Sequence, residues 1–219
     1  TPDADLGDED LTDVEAIITR GRGQVTSQLL ARCPNLRVIG RCGVGLDNVD
    51  VAAATAAGVA VINAPGSPAI TTAEHTIMLM LALTRRLYPQ VAAVKSDDWA
   101  VRARVDADEC AGKTLGVVGL GAIGRRVAEV STVLGMEVIA WTFHPSEERA
   151  RGLGVRFVEF DELLSTADFI SLHVALTEDT HHLISEDALS KMKTTAVLVN
   201  ASRGPVVDPG ALYRALRDG

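Results

Sequence analysis

Aromatic residues make up only 4% of the 219-residue sequence, and only three cysteines are present, Cys33, Cys42 and Cys110. Three widely spaced cysteines fit neither a disulfide framework nor a zinc site, so we expect reduced thiols, no metal and a cytoplasmic location. The sequence lacks a basic excess, since 21 lysines and arginines stand against 29 acidic residues, and we expect no nucleic-acid partner. Its longest strongly apolar run, Ile77 to Leu83, is too short to span a bilayer, and no signal peptide is visible, so we expect no membrane partner.

Short apolar segments alternate with helix-forming segments along the chain, and this alternation predicts an α/β fold with parallel sheets covered on both faces. We predict a substrate domain over residues 1–88 and a doubly wound nucleotide-binding (Rossmann) domain over residues 89–219. A long apolar helix is predicted over 71–87, with Thr71 or Thr72 as its N-cap. Because the sequence starts with Thr1 and ends in the helix after the fifth strand of the second block, we expect both domains to be partial. The predicted strands are 15–19, 36–40, 59–62, 115–119, 137–142, 156–159, 169–174 and 196–201.

The most informative segment is an apolar run that leads directly into Gly119, Gly121 and Gly124 and then into a predicted helix. Glycines at this spacing between a strand and a helix are typical of a dinucleotide pyrophosphate site. The first allows a tight turn, the second lets the backbone approach the phosphates, and the third lets the helix pack closely against the strand. The alternative is a merely structural glycine turn.

The strand that follows this helix should end in an acid that accepts both ribose hydroxyls of NAD. Thr142 stands at that place instead. Without a carboxylate a 2′-phosphate is not repelled, and His144, Ser146 and Arg149 could hold one. The sequence therefore predicts NAD as the cofactor and leaves NADP open.

Two arginines stand where predicted strands end. Arg203 offers a planar fork suited to a carboxylate or a polarised carbonyl, and the alternative is an Arg that pairs with a carboxylate in a tight turn. Arg41 stands beside Val44 and Gly45, whose backbone N–H groups can cradle an anion. The alternative there is a plain turn before a helix that Asp50 caps.

Together these segments resemble the D-isomer-specific 2-hydroxyacid dehydrogenase family. The resemblance runs from about Asp13 to Gly219, and within the family the Gly40–Asn48 segment is most similar to members that act on 3-phosphoglycerate. The segments that carry the resemblance are Gly43–Asn48, Asn63–Gly66, Ala73–His75, Gly119–Gly124, His173–Leu176 and Asn200–Asp208.

The resemblance implies a flavodoxin-like substrate domain and an oxidoreductase that moves hydride between NAD(P) and C2 of a small anionic D-2-hydroxy acid or 2-keto acid. The leading candidate substrate is 3-phosphoglycerate, and a homodimer is implied. Arg203 would be the catalytic Arg, and Arg41, Val44 and Gly45 would bind the substrate. The implied cofactor-binding residues are Ala64, Gly119, Gly121, Ala122, Ile123, Gly124, Thr142, Val174, Ala201 and Ser202.

The sequence departs from the family pattern in two places. The family's catalytic His and the Glu that orients it would lie beyond Gly219, and none of the five histidines matches them; we expect His173, although near the site, to be structural. Pro68 stands where many relatives have Asn. The alternatives are an NAD(H)-sensing, corepressor-like protein without turnover, or a dehydrogenase of the same family that acts on glyoxylate, hydroxypyruvate or a phosphonate-type acid.

Overall fold

The structure is a computed structural model that describes residues 9–20 and 23–218, without the side chains of Glu147, Arg149 and Arg151. The chain divides into two compact units, the first ending at Pro68 and the second starting at Ala69. The division precedes the long apolar helix, whereas the sequence analysis placed it after that helix. The reason is packing, since this helix shares a hydrophobic core with the second unit.

The first unit is built on a parallel three-stranded sheet of β1 (Ala16–Thr19), β2 (Val38–Arg41) and β3 (Ala60–Asn63), in that order. Its central strand β2 is fully buried at Ile39, in keeping with the apolar residues at its start. Asp50 caps the second helix as predicted, because its side chain accepts a 2.9 Å hydrogen bond from the Ala53 N–H. The elements are β1 (Ala16–Thr19), α1 (Ser27–Ala31), β2 (Val38–Arg41), α2 (Val51–Ala56) and β3 (Ala60–Asn63).

The second unit contains a parallel five-stranded sheet in the order β6-β5-β4-β7-β8. Its helices are α3 (Ala69–Thr84), α4 (Leu87–Lys95), α5 (Ala122–Val133), α6 (Glu147–Leu153), α7 (Phe160–Thr166), α8 (Glu186–Lys191) and α9 (Pro209–Asp218). Its strands are β4 (Thr114–Val118), β5 (Glu137–Trp141), β6 (Arg156–Phe157), β7 (Phe169–Leu172) and β8 (Val197–Asn200). Short 3₁₀ turns lie at Trp99–Ala103, Glu178–Thr180 and Gly204–Val206. This strand order is that of a doubly wound fold, in which ligands bind where the order reverses, between β4 and β7.

Both faces of the five-stranded sheet are covered, as the alternating pattern predicts. On one face Val117 and Val138 pack with Met80 of α3 and Val127 of α5. On the other face lies a second cluster that contains Val118, Ile139, Leu163, Ile170 and Leu172. The sheet therefore has the double cover that all-parallel sheets require.

The predicted long helix differs from the observed one at both ends. Thr71 and Thr72 lie inside α3, which begins at Ala69, so the predicted N-cap is wrong. The helix stops at Thr84 because Arg86 adopts a left-handed backbone conformation (φ 49°), after which α4 begins. In the described part of the chain no helix has the length and apolar character needed to cross a membrane.

Candidate functional site

The glycine loop after β4 has the geometry that the three glycines predict. Gly119 turns the chain with φ +96°, a conformation that side-chain-bearing residues rarely adopt. A Cβ on Gly124 would lie 2.1 Å from the Gly119 carbonyl oxygen, so α5 packs against the strand end at a distance that only glycine permits. A Cβ on Gly121 would meet no protein atom within 4 Å, which leaves the space above it open.

This loop presents the N-terminus of α5 to that open space. Gly121 is the N-cap, and no side chain caps the helix. The first intrahelical bond here runs from the Arg125 N–H to the Gly121 carbonyl at 2.9 Å. The N–H groups of the first helical turn, which includes Ala122 and Ile123, therefore point outward at the positive end of the helix dipole. A dinucleotide pyrophosphate is the anion that fits such a cradle.

Neighbouring strand ends support the loop. The Gly119 N–H donates to the Trp141 carbonyl at 2.8 Å, and the His173 N–H donates to the Val118 carbonyl at 2.8 Å. A Cβ on Gly119 would lie 3.0 Å from a methyl group of Val174. The ends of β4, β5 and β7 thus meet at one edge of the sheet, and the pairing of Leu172 with Asn200 brings β8 to the same edge.

His173 lies beside this loop and is partly exposed, although its Nδ1 is fully buried. Burial lowers its pKa from 6.5 to about 4, because the charged imidazolium is disfavoured away from water. Its Nε2 lies 2.8 Å from the Ser171 hydroxyl, while its Nδ1 is buried with no partner in the described part of the chain. A neutral imidazole with so low a pKa is poorly matched to proton transfer near pH 7, in keeping with its expected structural role.

Thr142 directly follows β5, at the position expected for the ribose-binding acid. It is half-buried, and its hydroxyl accepts a long 3.5 Å hydrogen bond from the His144 N–H. From Val138 to Ser146 the sequence contains no Asp or Glu. The Arg149 side chain, which was predicted to help hold a 2′-phosphate, lies outside the described residues. Residues 138–146, which include the end of β5, therefore carry no carboxylate that would exclude a 2′-phosphate.

Arg203 lies two residues beyond Ala201, in the loop after β8. Its backbone is extended, and its Nη1 donates to the Ser202 carbonyl at 3.0 Å. The side chain of Asn200 bridges the loop, since its amide donates to the Arg203 carbonyl at 2.8 Å and its oxygen accepts from the Ser202 N–H at 3.0 Å. Asn200 was recognised only as the start of the Asn200–Asp208 segment and was given no role of its own, although an Asn side chain that bonds the backbone two residues on is a known turn pattern.

A second glycine loop follows β2 in the first unit. Gly43 has φ +150°, and a Cβ there would lie 1.5 Å from Nη1 of Arg41, so the Arg41 side chain folds directly over it. Nη1 of Arg41 donates to the Cys42 carbonyl at 2.7 Å, whereas its buried Nε has no described partner. The backbone N–H groups of Val44 and Gly45 make no hydrogen bond in the described part of the chain. Two unused N–H groups and a guanidinium make a site for a small anion.

The end of β3 holds this second loop in place. The Asn63 side-chain amide donates to the Val44 carbonyl at 2.8 Å, and the Ala64 N–H donates to the Gly43 carbonyl at 2.9 Å. Ala64, which the resemblance assigned to the cofactor, thus belongs to the first unit beside the anion-binding loop. Asn63 is a second residue that was named only as part of a segment, Asn63–Gly66, with no role of its own.

The structure therefore brings the predicted site residues together in two groups. The first unit carries Arg41, Val44, Gly45 and Ala64, while the second carries Gly119, Gly121, Ala122, Ile123, Gly124, Thr142, Val174, Ala201, Ser202 and Arg203. Across residues 9–20 and 23–218 no cluster of His, Cys, Asp or Glu has the arrangement of a metal site. Within the described residues Cys33, Cys42 and Cys110 are free thiols that form no disulfide.

Comparison with known proteins identifies the family. Residues 77–219 match the model of the D-isomer specific 2-hydroxyacid dehydrogenase NAD-binding domain. The chain belongs to this family, and its second unit contains the family's NAD-binding domain, as the glycine loop and the strand order indicate.

Individual relatives and solved structures are similar to this chain over most of its length. The chain is 44% identical over 205 residues to D-3-phosphoglycerate dehydrogenase of Archaeoglobus fulgidus, covering 94% of this chain but only 39% of that protein. It superposes with a TM-score of 0.90 and 36% identity on D-lactate dehydrogenase from Aquifex aeolicus complexed with NAD and lactic acid, covering 95% of this chain and 62% of that one. An acyclic imino acid reductase in complex with NADPH and D-Arg matches with a TM-score of 0.85 at 27% identity, covering 95% and 66%. The chain thus spans about two fifths of the length of the curated relative.

Proposed function

We propose that the protein containing this chain is an NAD(P)-dependent oxidoreductase that acts on a small anionic D-2-hydroxy acid or 2-keto acid. The second unit supplies the cofactor site, and the first unit is the substrate domain. The observation that carries the proposal is the Arg203 loop at the same sheet edge as the dinucleotide-binding glycines. A protein that merely bound the nucleotide would not need a guanidinium there.

The nicotinamide, when bound, donates or accepts the hydride. Arg203 neutralises the substrate carboxylate and polarises its carbonyl oxygen, and because such charge stabilisation is preorganised it costs little reorganisation during the reaction. The family resemblance assigns Val44 and Gly45 to the substrate carboxylate, which their N–H groups would bind. Gly121, Ala122 and Ile123 would bind the pyrophosphate, and the resemblance assigns Ala64, Val174, Ala201 and Ser202 to the nicotinamide side.

The leading substrate is 3-phosphoglycerate, with its 2-keto product. The D-3-phosphoglycerate dehydrogenases among the relatives support this choice, and Arg41 supports it because a substrate with a second anionic group gains from a second guanidinium. Glyoxylate, hydroxypyruvate and phosphonate-type acids are the alternative substrates within the same family.

We further propose a cytoplasmic homodimer. Exposed apolar side chains along α3 and α4 support association, since Met78, Leu83 and Leu87 are about half exposed and Tyr88 is 87% exposed. Light scattering coupled to gel filtration measures the oligomeric state, and a monomeric mass at micromolar concentration contradicts the dimer.

Arg203→Ala tests the function. In the active protein we expect turnover of 3-phosphoglycerate to fall about 100- to 1,000-fold, because a preorganised charge at the reacting carbonyl is lost. NADH affinity should change little, since Arg203 is assigned to the substrate. Parental protein that binds NADH but turns over none of these acids would contradict the enzyme and favour the NAD(H)-sensing alternative.

Thr142→Asp tests the cofactor. We expect the parental protein to bind NADH and also to tolerate NADPH, because Thr142 can bond a ribose hydroxyl without repelling a phosphate. The Asp variant should bind NADPH about tenfold or more weakly while keeping NADH, since a carboxylate faces the 2′-phosphate. Fluorescence titration with both nucleotides measures this, and a clear NADPH preference of the parent would contradict NAD as the physiological cofactor.

A further inference from the structure

Asn200 is the last residue of β8, and its side chain uses every polar atom on the loop that follows. Its Oδ1 accepts from both the N–H and the hydroxyl of Ser202, at 3.0 and 2.8 Å, and its Nδ2 donates to the Arg203 carbonyl at 2.8 Å. The residue is exposed, so water could satisfy its amide without any of these bonds. The three hydrogen bonds therefore hold the loop in place and are not needed to satisfy a buried amide.

The loop needs such a clamp because the sheet ladder stops at Asn200. The register of β7 with β8 ends at the pair Leu172 and Asn200. Downstream, the Val206 N–H donates to the Arg203 carbonyl at 3.1 Å. The Ile184 N–H donates to the Val206 carbonyl at 3.0 Å and so connects this turn to the rest of the second unit. The Arg203 carbonyl is thus held from both sides, by the 3₁₀ turn after it and by the Asn200 amide before it.

The clamp also reaches the guanidinium. Nη1 of Arg203 donates to the carbonyl of Ser202, the residue whose N–H and hydroxyl are bound to Asn200. The Ser202 carbonyl lies between the two backbone groups that Asn200 binds, the Ser202 N–H and the Arg203 carbonyl, so the Asn200 bonds restrain an acceptor that orients the Arg203 fork. An unrestrained Arg side chain has about 2 kcal/mol of rotamer entropy, so this orientation is not obtained without partners.

We infer that Asn200 is a positioning residue that holds Arg203 in its substrate-binding geometry. This inference rests on the proposed function of Arg203. A displacement of about 1 Å at a reacting centre can cost about 100-fold in rate, so loss of the clamp should be visible in kinetics even though Asn200 touches no substrate.

The experiment compares the parent with Asn200→Ala, Arg203→Ala and the double variant, using 3-phosphoglycerate and NAD. We expect Asn200→Ala to lower kcat/KM about 10- to 100-fold while NADH affinity changes less than about threefold. The double variant should be no slower than Arg203→Ala alone, because a residue that acts through Arg203 has no effect once Arg203 is gone. Independent, multiplying losses would overturn the inference.

Asn35→Ala is the matched control. It removes an exposed Asn amide that donates to the Thr12 carbonyl at 2.9 Å, in the turn before β2 and away from the strand ends that carry the site. Its kinetics should match those of the parent. Asn200→Asp is the second variant, in case Asn200→Ala folds poorly; it keeps both acceptor bonds to Ser202, loses the donor to Arg203 and should still lower kcat/KM. Parental kinetics in a folded Asn200 variant would also overturn the inference.

Failure of the proposed function is recognised separately, by a parent that does not turn over any 2-hydroxy acid. In that case the Nε–H signal of Arg203 in a nitrogen-15 correlation spectrum, assigned by its loss in Arg203→Lys, answers the same question. It should shift or broaden in Asn200→Ala and stay in place in Asn35→Ala. An unchanged signal in Asn200→Ala would overturn the positioning role.

Discussion

The two units carry glycine-led loops at the same point of their sheets, after the central strand, yet the loops are built differently. The loop after β4 runs straight into the 12-residue helix α5, and a Cβ on Gly124 would meet backbone at 2.1 Å. The loop after β2 has no helix directly behind it, and a Cβ on Gly43 would meet the end of the Arg41 side chain at 1.5 Å. The loop after β4 packs against rigid backbone, whereas the loop after β2 packs against the flexible, charged side chain of Arg41.

This difference matches the anions that we assign to the two loops. A pyrophosphate is shared by all dinucleotides, so a helix N-terminus held at fixed distance suffices for it. A small substrate needs selection by charge, which a side chain provides and a backbone dipole does not. We call the loop after β4 the rigid loop and the loop after β2 the flexible loop. The predictions below test whether substitutions in the rigid loop mainly lower stability and those in the flexible loop mainly weaken substrate binding.

Gly124→Ala should have the largest effect. The added Cβ lies 2.1 Å from the Gly119 carbonyl oxygen, so α5 must move. We expect about 4 kcal/mol of lost stability and about 100-fold weaker NADH binding, measured by urea unfolding and fluorescence titration. Gly121→Ala, whose Cβ meets no protein atom within 4 Å, should keep parental stability and lose only NADH affinity. Gly152→Ala in α6, also in open space, should lower neither stability nor NADH affinity, and its stability should rise slightly because alanine favours a helix. Parental stability of Gly124→Ala would contradict the rigid loop.

His173 supports the rigid loop and should give it a pH dependence that the other loop lacks. Its pKa is about 4 in the folded chain and near 6.5 when unfolded, so between these values the unfolded chain binds the extra proton. Stability from this residue is complete above about pH 6.5 and falls by about 3 kcal/mol as the pH drops to 4. The free energy of unfolding of His173→Gln should fall less steeply over this window than that of the parent. Parallel profiles would contradict the burial of a neutral imidazole.

Arg41→Ala and Gly43→Ala should both weaken substrate binding. Removing the Arg41 guanidinium, or displacing it with a Cβ at Gly43, should raise KM for 3-phosphoglycerate about tenfold, since one charge-assisted contact is lost. NADH affinity should remain close to parental in both variants, in contrast with Gly124→Ala. Arg41→Ala should also keep parental stability, whereas Gly43→Ala should lose some stability because a φ of +150° is strained for a residue with a Cβ. Steady-state kinetics and thermal unfolding measure both, and a Gly43→Ala variant with parental KM would show that Arg41 does not need its position over the glycine.

Asn63→Ala should have the smallest effect. It removes the 2.8 Å bond from the side-chain amide to the Val44 carbonyl, which steadies the loop from β3. We expect about 1 kcal/mol of lost stability and a KM raised about threefold, because the Ala64 N–H still holds the Gly43 carbonyl. A change as large as that of Arg41→Ala would indicate that the loop depends on its support more than on its cation.

Sequence patterns predicted the order of the elements and the place of the cofactor loop. Each predicted strand lies within a few residues of an observed one, because apolar runs between turn residues depend on local chemistry. The end of α3 was not predictable, since the left-handed conformation of Arg86 has no signal in a long apolar stretch. The N-cap was misplaced for a similar reason, because Thr71 and Thr72 are good caps that the tertiary packing of α3 leaves inside the helix.

Some parts of the site were predictable from the sequence, and others were not. The spacing of the glycines at 119, 121 and 124 is visible in the sequence; Gly119 and Gly124 have a geometry that only glycine permits, whereas Gly121 leaves the space above it open. Asn200 and Asn63 were missed because a side chain that holds a loop is recognised only by the atoms it reaches. His173 could be placed near the site, but its low pKa follows from burial that no sequence pattern states.

The sequence by itself therefore determined the fold class and the cofactor loop and predicted roles for the two arginines, because these depend on periodicity, glycine spacing and charge within short segments. Only the tertiary structure decided that α3 belongs to the second unit, that Arg41 folds over Gly43 and that Asn200 clamps the Arg203 loop. Those features depend on contacts between strand ends and helices that are distant along the chain, and their distances are set by packing.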